Sequence, residues 1–274
     1  MIVREALRDA AERLGEGCET GRLDAELLMA HALGVSREDL LLGQLDAAAP
    51  QDFEALIGRR LAHEPVAYIT GSREFYSLEI AVTPGVLIPR ADSETLIDAA
   101  LDSLAGRPPA RILDLGAGSG ALLLAALSRW PAASGVGVDR SDTALLCALG
   151  NAQRLAMDDR ASFVVGDWAD GIAGPFDLIL CNPPYVETDA ALPPDVRDYE
   201  PGDALFAGHN GLDAYRILAP QLARLLRSGG IACVEIGTGQ ARAVAGIFAG
   251  EGLKSACRHD LAGRERCLVI HNVC

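Results

Sequence analysis

Positive charge is scarce in this chain. Among its 274 residues only Lys254 is a lysine, and 24 basic residues face 38 acidic ones, which leaves a net charge of −14 and a sequence pI of about 4.7. We attribute the near-absence of lysine to genome composition. So acidic a chain is a poor candidate for gripping a phosphate backbone, and we therefore expect no direct binding of nucleic acid.

The cysteines lack the spacing of a metal site. Seven occur, with no Cys-x-x-Cys pair, and the five histidines are scattered. We therefore expect no metal. The odd count in mostly apolar surroundings predicts buried, reduced thiols. The seven are Cys18, Cys147, Cys181, Cys233, Cys257, Cys267 and Cys274.

Long hydrophobic runs are also missing. No stretch approaches the ~20 apolar residues of a membrane-spanning helix, and the charges of Arg4 and Glu5 leave no apolar segment of the signal-peptide type. We expect a cytoplasmic protein that does not bind membranes. The residues are 50% hydrophobic, and the length allows one large domain and one small one.

Residues 3–63 have the spacing of four short helices. Ser36 and Asp39 resemble a capping box, Pro50 is suited to open the fourth helix, and Pro65 is suited to stop it. Helical stripes are expected at Leu7, Ala10, Ala11 and Leu14, before a break at Gly15 and Gly17, and then at Leu23, Leu27, Ala30 and Leu33. Such a bundle is either a plain appendage or the part that docks a partner or substrate.

The apolar period changes to two after residue 74. Residues 75–82 and 86–88 flank Thr83-Pro84-Gly85 and predict a β-hairpin. Asp92 or Ser93 is expected to cap the helix that follows. We therefore divide the chain into a helical substrate-docking domain (1–74), a hairpin linker (75–90) and a cofactor-binding domain (91–274).

Strand-like and helix-like segments alternate through the rest of the chain. This alternation predicts a parallel sheet with helices on both faces, the doubly wound α/β class. The expected strands are Arg111–Leu115, Ser134–Val138, Ala161–Val165, Phe176–Cys181, Ile231–Ile236, Leu253–Cys257 and Arg266–His271. The expected helices are Ala121–Ser128, Thr143–Leu155, Leu212–Leu226 and Ala241–Ala249.

A glycine-rich loop follows the first of these strands. It reads Asp114-Leu115-Gly116-Ala117-Gly118-Ser119-Gly120, and its glycines allow a ligand to approach the backbone closely. The next strand ends at Asp139, whose carboxylate can accept hydrogen bonds from both hydroxyls of a ribose. A bare strand–helix turn is the plainest alternative. A dinucleotide site is the stronger rival, because Gly116-x-Gly118-x-x-Ala121 loosely fits that fingerprint and Asp139 follows after about 20 residues.

Three features favour S-adenosyl-L-methionine as the cofactor. Gly120 completes a Gly-x-Gly-x-Gly spacing, Asp114 adds a carboxylate for the cofactor's amino group, and Asn-Pro-Pro-Tyr follows a later strand. A sulfonium cofactor carries no phosphate, so acidic neighbours are tolerated. After the third strand, Asp167 is suited to bind the adenine amine and Trp168 to pack on the ring, although Trp168 also fits a position in the core.

The apolar segment Leu178–Cys181 runs directly into Asn182-Pro183-Pro184-Tyr185. It predicts a buried parallel strand that the prolines end on a stiff loop, at the sheet edge where open α/β proteins bind ligands. The side-chain oxygen of Asn182 and the backbone carbonyl of Pro183 can accept both N–H bonds of a planar NH2 group, and Tyr185 can stack on it. With Pro184, these residues form the expected substrate site. The same motif also fits a rigid turn without chemistry.

Together these stretches resemble the HemK/PrmC family, the N5-glutamine methyltransferases of peptide chain release factors. The resemblance covers nearly the whole chain. It extends to Leu23-Asp24-Ala25-Glu26-Leu27-Leu28, Pro65-x-x-Tyr68-Ile69-x-Gly71, Thr83–Arg90, Glu200-Pro201-x-x-Ala204-Leu205 and Gly211-Leu212. It implies a class I, S-adenosylmethionine-dependent methyltransferase fold with a small N-terminal helical bundle.

The resemblance also implies a substrate. This is the glutamine of a Gly-Gly-Gln loop in a release factor, whose carboxamide enters beside Asn182, and S-adenosyl-L-homocysteine is the product. The helical domain then holds the release factor, and we expect a monomer. Ala91, Ser93 and Asn210 stand where the family usually has Pro, Thr and Asp, which leaves open which member of the family this is.

Three alternatives remain at this point. They are a glutamine methyltransferase of a ribosomal protein, an adenine-N6 methyltransferase of nucleic acid, and a non-catalytic protein that keeps S-adenosylmethionine as a structural ligand. The acidic charge argues against the second, which must flip a base and grip phosphates. The intact motif Asn182–Tyr185 argues against the third.

Overall fold

A computed structural model of the chain describes residues 1–15 and 20–272. They form two compact units, Met1–Ser72 with Leu192–Tyr199, and Arg73–Ala191 with Glu200–Cys274. Leu192–Tyr199 therefore belongs to the helical unit although it follows the Asn-Pro-Pro-Tyr loop in sequence. The predictions made for Gly17, Cys18 and Cys274 lie outside the described residues.

The first unit is built from short helices. They are α1 (Val3–Gly15), α2 (Gly21–Leu33), α3 (Arg37–Asp39), which continues into a π-helical turn (Leu40–Gln44), α4 (Phe53–Leu61) and α5 (Val66–Thr70). The predicted cap at Ser36 is confirmed, because the backbone N–H of Asp39 donates to its Oγ at 3.0 Å. The predicted stripe of α1 is confirmed where Ala10 and Leu14 are buried, whereas α5 was not predicted.

The predicted apolar stripe of helix α2 is confirmed at Ala30, which is buried, and at Leu33, which packs against the same buried cluster, but not at Leu23. Leu23 is 40% exposed, while Asp24 and Glu26 are buried. Asp24 pairs with the buried guanidinium of Arg60 at 2.7 Å, and Glu26 pairs with Arg37 at 2.7 Å. Since these ion pairs allow carboxylates to occupy buried positions, the buried face of α2 is wider than its apolar residues indicate, and the expectation for Leu23 was wrong.

The rest of the chain alternates strands and helices. The strands are β1 (Ser72–Phe75), β2 (Leu78–Ala81), β3 (Arg111–Leu115), β4 (Ser134–Asp139), β5 (Ala161–Val165), β6 (Phe176–Cys181), β7 (Leu226–Glu235), β8 (Leu253–His259) and β9 (Glu265–Asn272). The helices are α6 (Glu94–Ser103), α7 (Ala121–Arg129), α8 (Asp142–Arg154), α9 (Pro194–Tyr199, in the first unit), α10 (Asp213–Leu225) and α11 (Ala241–Gly250), with 3-10 turns at Ala91–Ser93 and Gly202–Ala204.

Seven strands form one sheet in the order β5-β4-β3-β6-β7-β9-β8. Strands β3 to β7 are parallel, as predicted, but β9 is antiparallel to both β7 and β8. The expectation of an entirely parallel sheet was therefore wrong for β9, whereas β8, antiparallel to β9, runs in the same direction as β7. Strands β8 and β9 are joined by the turn 260–264, which is too short for the crossover that a parallel pair requires.

Both faces of the sheet are covered by helices, which confirms the doubly wound class. Successive residues of β3 face opposite sides. Ile112 belongs to a buried cluster with Leu96 of α6, whereas Leu113 belongs to a second cluster with Leu218 of α10. The carboxyl ends of the parallel strands are thus held rigidly between two apolar layers.

The predicted hairpin exists, but its turn lies elsewhere. Tyr76 and Ser77 join β1 to β2 with φ values of +52° and +61°. A turn does form at Thr83–Gly85, where the N–H of Val86 donates to the carbonyl of Thr83 at 3.1 Å. Residues 86–88 form no strand, so the expectation that this turn closes the hairpin was wrong. Because neither Tyr76 nor Ser77 is a residue that favours positive φ, the sequence carried no signal for this turn. Glu94 stabilises it by accepting the backbone N–H of Tyr76 at 2.9 Å.

Five cysteines lie in the described part of the chain, and their thiols are free. Cys181, Cys233 and Cys267 are buried in the sheet, and Cys147 and Cys257 are half-buried. Within residues 1–15 and 20–272, no helix has the length and apolarity needed to cross a membrane. The same residues contain no group of three or more His, Cys, Asp or Glu side chains that could hold a metal ion.

Candidate active site

A cavity of about 740 Å³ opens in the second unit, and predicted residues from four strand ends line it together. They are Gly116, Ala117, Gly118 and Ser119 after β3, Asp139 at the end of β4, Asp167 and Trp168 after β5, and Asn182 and Pro184 after β6. The remaining predicted residues, all within the described part of the chain, are not in the lining. They are Asp114, Gly120, Pro183 and Tyr185.

The glycine-rich loop adopts a backbone that suits glycine. Gly116, Gly118 and Gly120 have φ values of +73°, +54° and +79°, in the left-handed region that side chains disfavour. A Cβ on Gly120 would also meet the Cβ of Ala148 at 3.1 Å. Since the N–H of Gly116 donates to the carbonyl of Val138 at 2.9 Å, the loop is fastened to the end of β4.

Asp139 connects this loop to the next helix. Its Oδ2 accepts the backbone N–H of Gly118 at 2.8 Å, and its Oδ1 accepts that of Ser141 at 2.9 Å. A carboxylate oxygen can accept more than one hydrogen bond, so Asp139 retains acceptor capacity towards the cavity that it lines. The predicted contact with a ribose is compatible with this geometry and stays a prediction.

Asp114 is fully buried at the end of β3. Its Oδ2 accepts the backbone N–H of Leu123 at 3.2 Å, whereas its Oδ1 has no hydrogen-bond partner among the residues that the structure describes. Burial, and to a smaller extent the charge of Asp139, raises the pKa of Asp114 to about 7. Because an unsatisfied buried carboxylate oxygen is unfavourable, a bound amine would stabilise this position.

Trp168 belongs both to the core and to the lining of the cavity. Its ring packs against the apolar cluster on one face of the sheet and also lines the cavity, beside the exposed Asp167. Its φ of +53° is unusual for a bulky residue. The next residue, Ala169, donates its N–H to Oε1 of Gln221 at 2.8 Å, which anchors this strained turn. The two interpretations of Trp168 are therefore not exclusive.

Asn182 is held by hydrogen bonds that lead to a buried carboxylate. Its Nδ2 donates to Oγ of Ser93 at 3.1 Å, and Oγ of Ser93 donates to Oε2 of Glu235. Glu235 ends β7 and is 1% exposed. Burial raises its pKa to about 7, against the opposing effects of the Ser93 hydrogen bond and of Arg266. The amide of Asn182 is thus fixed at the edge of the cavity.

This arrangement explains why the predicted helix cap is absent. Ser93 occupies the position before α6 but makes no capping hydrogen bond through its side chain. A carboxylate acceptor forms a stronger hydrogen bond than a neutral backbone group, and the Ser93 hydroxyl donates to Glu235. Asp92 pairs with Arg266 at 3.0 Å and Arg264 at 3.1 Å instead. The expected caps were therefore wrong.

Tyr185 binds the same carboxylate. Its hydroxyl donates to Oε1 of Glu235 at 3.2 Å, and its backbone carbonyl accepts from Nε2 of Gln240 at 3.1 Å. Burial, followed by the charge of Glu235, raises the pKa of Tyr185. Pro183 is buried and Pro184 is half-buried. Stacking by Tyr185 and hydrogen-bond acceptance by the Pro183 carbonyl both stay predictions.

Two stretches that the resemblance singled out meet beside the cavity. The carboxylate of Glu200, a residue 7% exposed, accepts from the guanidinium of Arg90 and from the backbone N–H of Ile88 at 3.2 Å. Their neighbours Pro89 and Pro201 line the cavity. The ion pair therefore fixes the Thr83–Arg90 stretch against the loop that returns after α9.

Sequence reasoning missed three residues that shape the cavity, namely Ser93, Glu235 and Asn151. Asn151 is fully buried, and its Nδ2 donates to the carbonyls of Ser119 at 2.9 Å and Ala81 at 3.0 Å. It thereby joins the glycine-rich loop to the hairpin. The available signals were an amide on the apolar face of a helix and an acidic residue inside an apolar strand.

The charge of the cavity favours a cationic ligand. Among the residues that the structure describes, its lining contains Asp139, Asp167, Asp203 and Asp213 but only one basic residue, Arg140. The phosphates of a dinucleotide would be repelled here, whereas a sulfonium and an ammonium group would be attracted. The glycine-rich loop, which allows a ligand to approach the backbone closely, and the unsatisfied carboxylate oxygen of Asp114 also fit S-adenosyl-L-methionine.

Two family models match the chain, one in each part. The PrmC N-terminal domain matches residues 5–71, and the Methyltransferase small domain matches residues 91–194. The first match coincides with most of the helical unit. The second includes the glycine-rich loop, Asp139 and the Asn-Pro-Pro-Tyr motif.

Solved structures share the fold of the sheet domain. The catalytic domain of hMettl16, in complex with MAT2A 3′UTR hairpin 6, has a TM-score of 0.56 at 16% identity and covers 72% of this chain and 76% of that one. A T. thermophilus 16S rRNA methyltransferase (RsmC), in complex with AdoMet and guanosine, has a TM-score of 0.53 at 21% identity and covers 73% and 49%. At these identities the similarity shows the fold alone.

Curated relatives match both units. The release factor glutamine methyltransferase of Rhodospirillum rubrum is 47% identical over 259 residues, which is 92% of this chain and 79% of the relative. Those of Moorella thermoacetica and Cereibacter sphaeroides are 40% and 41% identical, with 99% and 97% of both chains covered. On this similarity the chain belongs to the release factor glutamine methyltransferase family.

Proposed function

We propose that this protein transfers a methyl group from S-adenosyl-L-methionine to the side-chain amide nitrogen of the glutamine in the Gly-Gly-Gln motif of peptide chain release factors. One arrangement supports this function above the others. The amide of Asn182 lies at the edge of a cavity that the glycine-rich loop also lines. Membership of the family supplies the substrate class.

The cofactor is assigned to the strand ends of the second unit. We assign its amino group to Asp114, its ribose to Asp139, its adenine to Asp167 and Trp168, and its methionine part to the loop 116–120. S-adenosyl-L-methionine supplies a methyl group on a positively charged sulfur, and S-adenosyl-L-homocysteine is the product. The acidic lining of the cavity attracts that positive charge.

The substrate carboxamide is assigned to Asn182 and Pro183. Its nitrogen is a weak nucleophile because the lone pair is delocalised into the carbonyl. The side-chain oxygen of Asn182 and the backbone carbonyl of Pro183 accept its two N–H bonds, which orient the nitrogen and favour the positive charge that develops on it. Once the nitrogen carries the new carbon, one of those protons is acidic and leaves without a strong base.

We assign the remaining roles by domain. Residues 1–74 hold the release factor, 75–90 link the two parts, and 91–274 carry the reaction, in a cytoplasmic monomer. A ribosomal protein glutamine is the second candidate substrate, since it presents the same carboxamide. Adenine in nucleic acid is less suitable, because the net charge of −14 opposes a phosphate backbone.

The substrate class is tested with a labelled methyl donor. We expect label to enter a release factor in stoichiometric amount, and not duplex DNA or ribosomal protein incubated in parallel. The Gln→Glu form of the release factor should remain unlabelled, because a carboxylate offers no N–H for Asn182 to accept. Label in DNA at low salt, with none in the release factor, would overturn the proposal.

The cofactor assignment is tested by Asp139→Ala, with calorimetry of S-adenosyl-L-methionine binding. The variant loses hydrogen bonds to a charged acceptor, each worth about 1.5–3 kcal/mol, so we expect the Kd to rise at least about tenfold. Asp158→Ala removes the same charge from an exposed position and controls for net charge. Equal Kd values for the two variants would place the ribose elsewhere.

Docking by the helical unit is tested in the full chain. Deleting residues 1–72 would also deprive Leu192–Tyr199 of its packing partners, so a surface variant is preferable. Leu42 is 87% exposed on this unit, so its substitution changes the surface of the unit without disturbing its core. We expect Leu42→Asp to raise the KM for intact release factor several-fold and to leave turnover of a short Gly-Gly-Gln peptide unchanged.

The matched control for this variant is Leu261→Asp, at a residue fully exposed in the other unit. It should alter neither KM. If both variants raised the KM for the release factor equally, the effect would be one of charge and not of docking.

A further inference from the structure

The amide of Asn182 has a defined orientation, with its NH2 group towards Ser93, and Ser93 in turn is bound to the buried carboxylate of Glu235. We propose that Glu235, acting through Ser93, holds the amide of Asn182 with its oxygen towards the acceptor nitrogen, so that Glu235 and Ser93 are positioning residues of the methyl transfer. This inference deepens the proposed function and rests on it, since Asn182 is the residue to which that function assigns the substrate contact.

Counting donors and acceptors leaves one arrangement when Glu235 is ionised. A carboxylate only accepts hydrogen bonds, so Ser93 must give its hydroxyl proton to Glu235. Oγ of Ser93 then has only lone pairs left for Asn182, and the group that faces it must be the NH2. The amide oxygen is therefore the free end, and no donor in residues 1–15 or 20–272 occupies it.

Tyr185 strengthens the same arrangement. Its hydroxyl donates to Oε1 of Glu235 at 3.2 Å while Ser93 donates to Oε2, so both carboxylate oxygens accept a hydrogen bond from a neighbour. Hydrogen bonds to a charged acceptor in a site of low dielectric are strong and directional. The loop that bears Asn182 is thus held at Asn182 and at Tyr185 by one buried group.

The pKa of Glu235 is set by two opposing effects, burial and its hydrogen-bonding and charged neighbours. Burial raises the pKa to about 7, the donors Ser93 and Tyr185 and the buried guanidinium of Arg266 act in the opposite direction, and Asp92 raises it further. Other titratable groups that interact with Glu235 are Cys181, Cys267 and Tyr215, whose own pKa values are raised by burial, so they are uncharged near neutral pH.

Protonation of Glu235 would reverse the direction of these hydrogen bonds. A protonated carboxyl donates to Ser93, whose hydroxyl proton then becomes available to the oxygen of Asn182. The amide turns and presents its NH2 to a substrate group that is itself a donor. We therefore expect the rate to increase as pH rises through about 7, the pKa of Glu235, because the active form is the deprotonated one.

The experiment measures kcat and KM for release-factor methylation, the affinity for S-adenosyl-L-methionine, and the pH profile of kcat. The variants are Ser93→Ala, Glu235→Gln and the double variant, with Ser128→Ala as the control, since its hydroxyl donates to the carbonyl of Ala125 and does not line the cavity as described. Misplacing a contact residue costs up to about 100-fold, so we expect each single variant to lower kcat at least about tenfold with cofactor affinity retained.

Three comparisons distinguish positioning from a purely structural role. The kcat of the double variant should be no lower than that of the less active single variant, because both residues act through one chain of hydrogen bonds. Glu235→Gln should abolish the inflection of kcat near pH 7. Ser93→Thr, which keeps the hydroxyl, should recover most of the rate that Ser93→Ala loses.

Several results would overturn the inference. They are losses that multiply in the double variant, an unchanged inflection in Glu235→Gln, or lost cofactor affinity with normal kcat. Should Ser93→Ala fail to fold, the isosteric Glu235→Gln decides alone. Absence of methylation by the unaltered protein would instead contradict the proposed function, so the two failures are distinguishable.

Discussion

The carboxylate of Glu235 joins three segments that are far apart in sequence. It ends a central strand, accepts from Ser93 before α6, and accepts from Tyr185 in the loop after β6. A carboxylate this deeply buried is unfavourable unless it is hydrogen-bonded or protonated. The start of α6 and the Asn-Pro-Pro-Tyr loop must therefore take their places together, and the position of Asn182 follows from that requirement.

Two other polar side chains hold the glycine-rich loop of the cavity in the same way. Asp139 holds Gly118 and Asn151 holds Ser119, each through backbone groups of the glycine-rich loop. The reaction suits such a scaffold, because an amide nitrogen needs orientation and a favourable field more than it needs a base. Rigid acceptors that are in place before the substrate arrives lower the cost of reaching the transition state.

The sequence predicted elements whose cause is local and missed those whose cause is distant. The strand Arg111–Leu115 has the expected bounds because an apolar run between turns has few other solutions. The turn at Tyr76 was missed because it contains no glycine or asparagine, the residues that favour positive φ. Ser93 resembled a helix cap, and only the fold brings it to Glu235. The place of Asn182 at the cavity was predictable from its motif, while the groups that orient its amide were not.

The reaction we propose depends on the amide of Asn182, which orients the nitrogen that accepts the methyl group. The most direct measurement is the turnover of a release factor by Asn182→Ala, with cofactor affinity determined on the same sample. We predict a loss of kcat on the order of 10²-fold or more, the scale for one preorganised polar group, with cofactor binding weakened at most slightly. Near-normal turnover by this variant would contradict this role of Asn182.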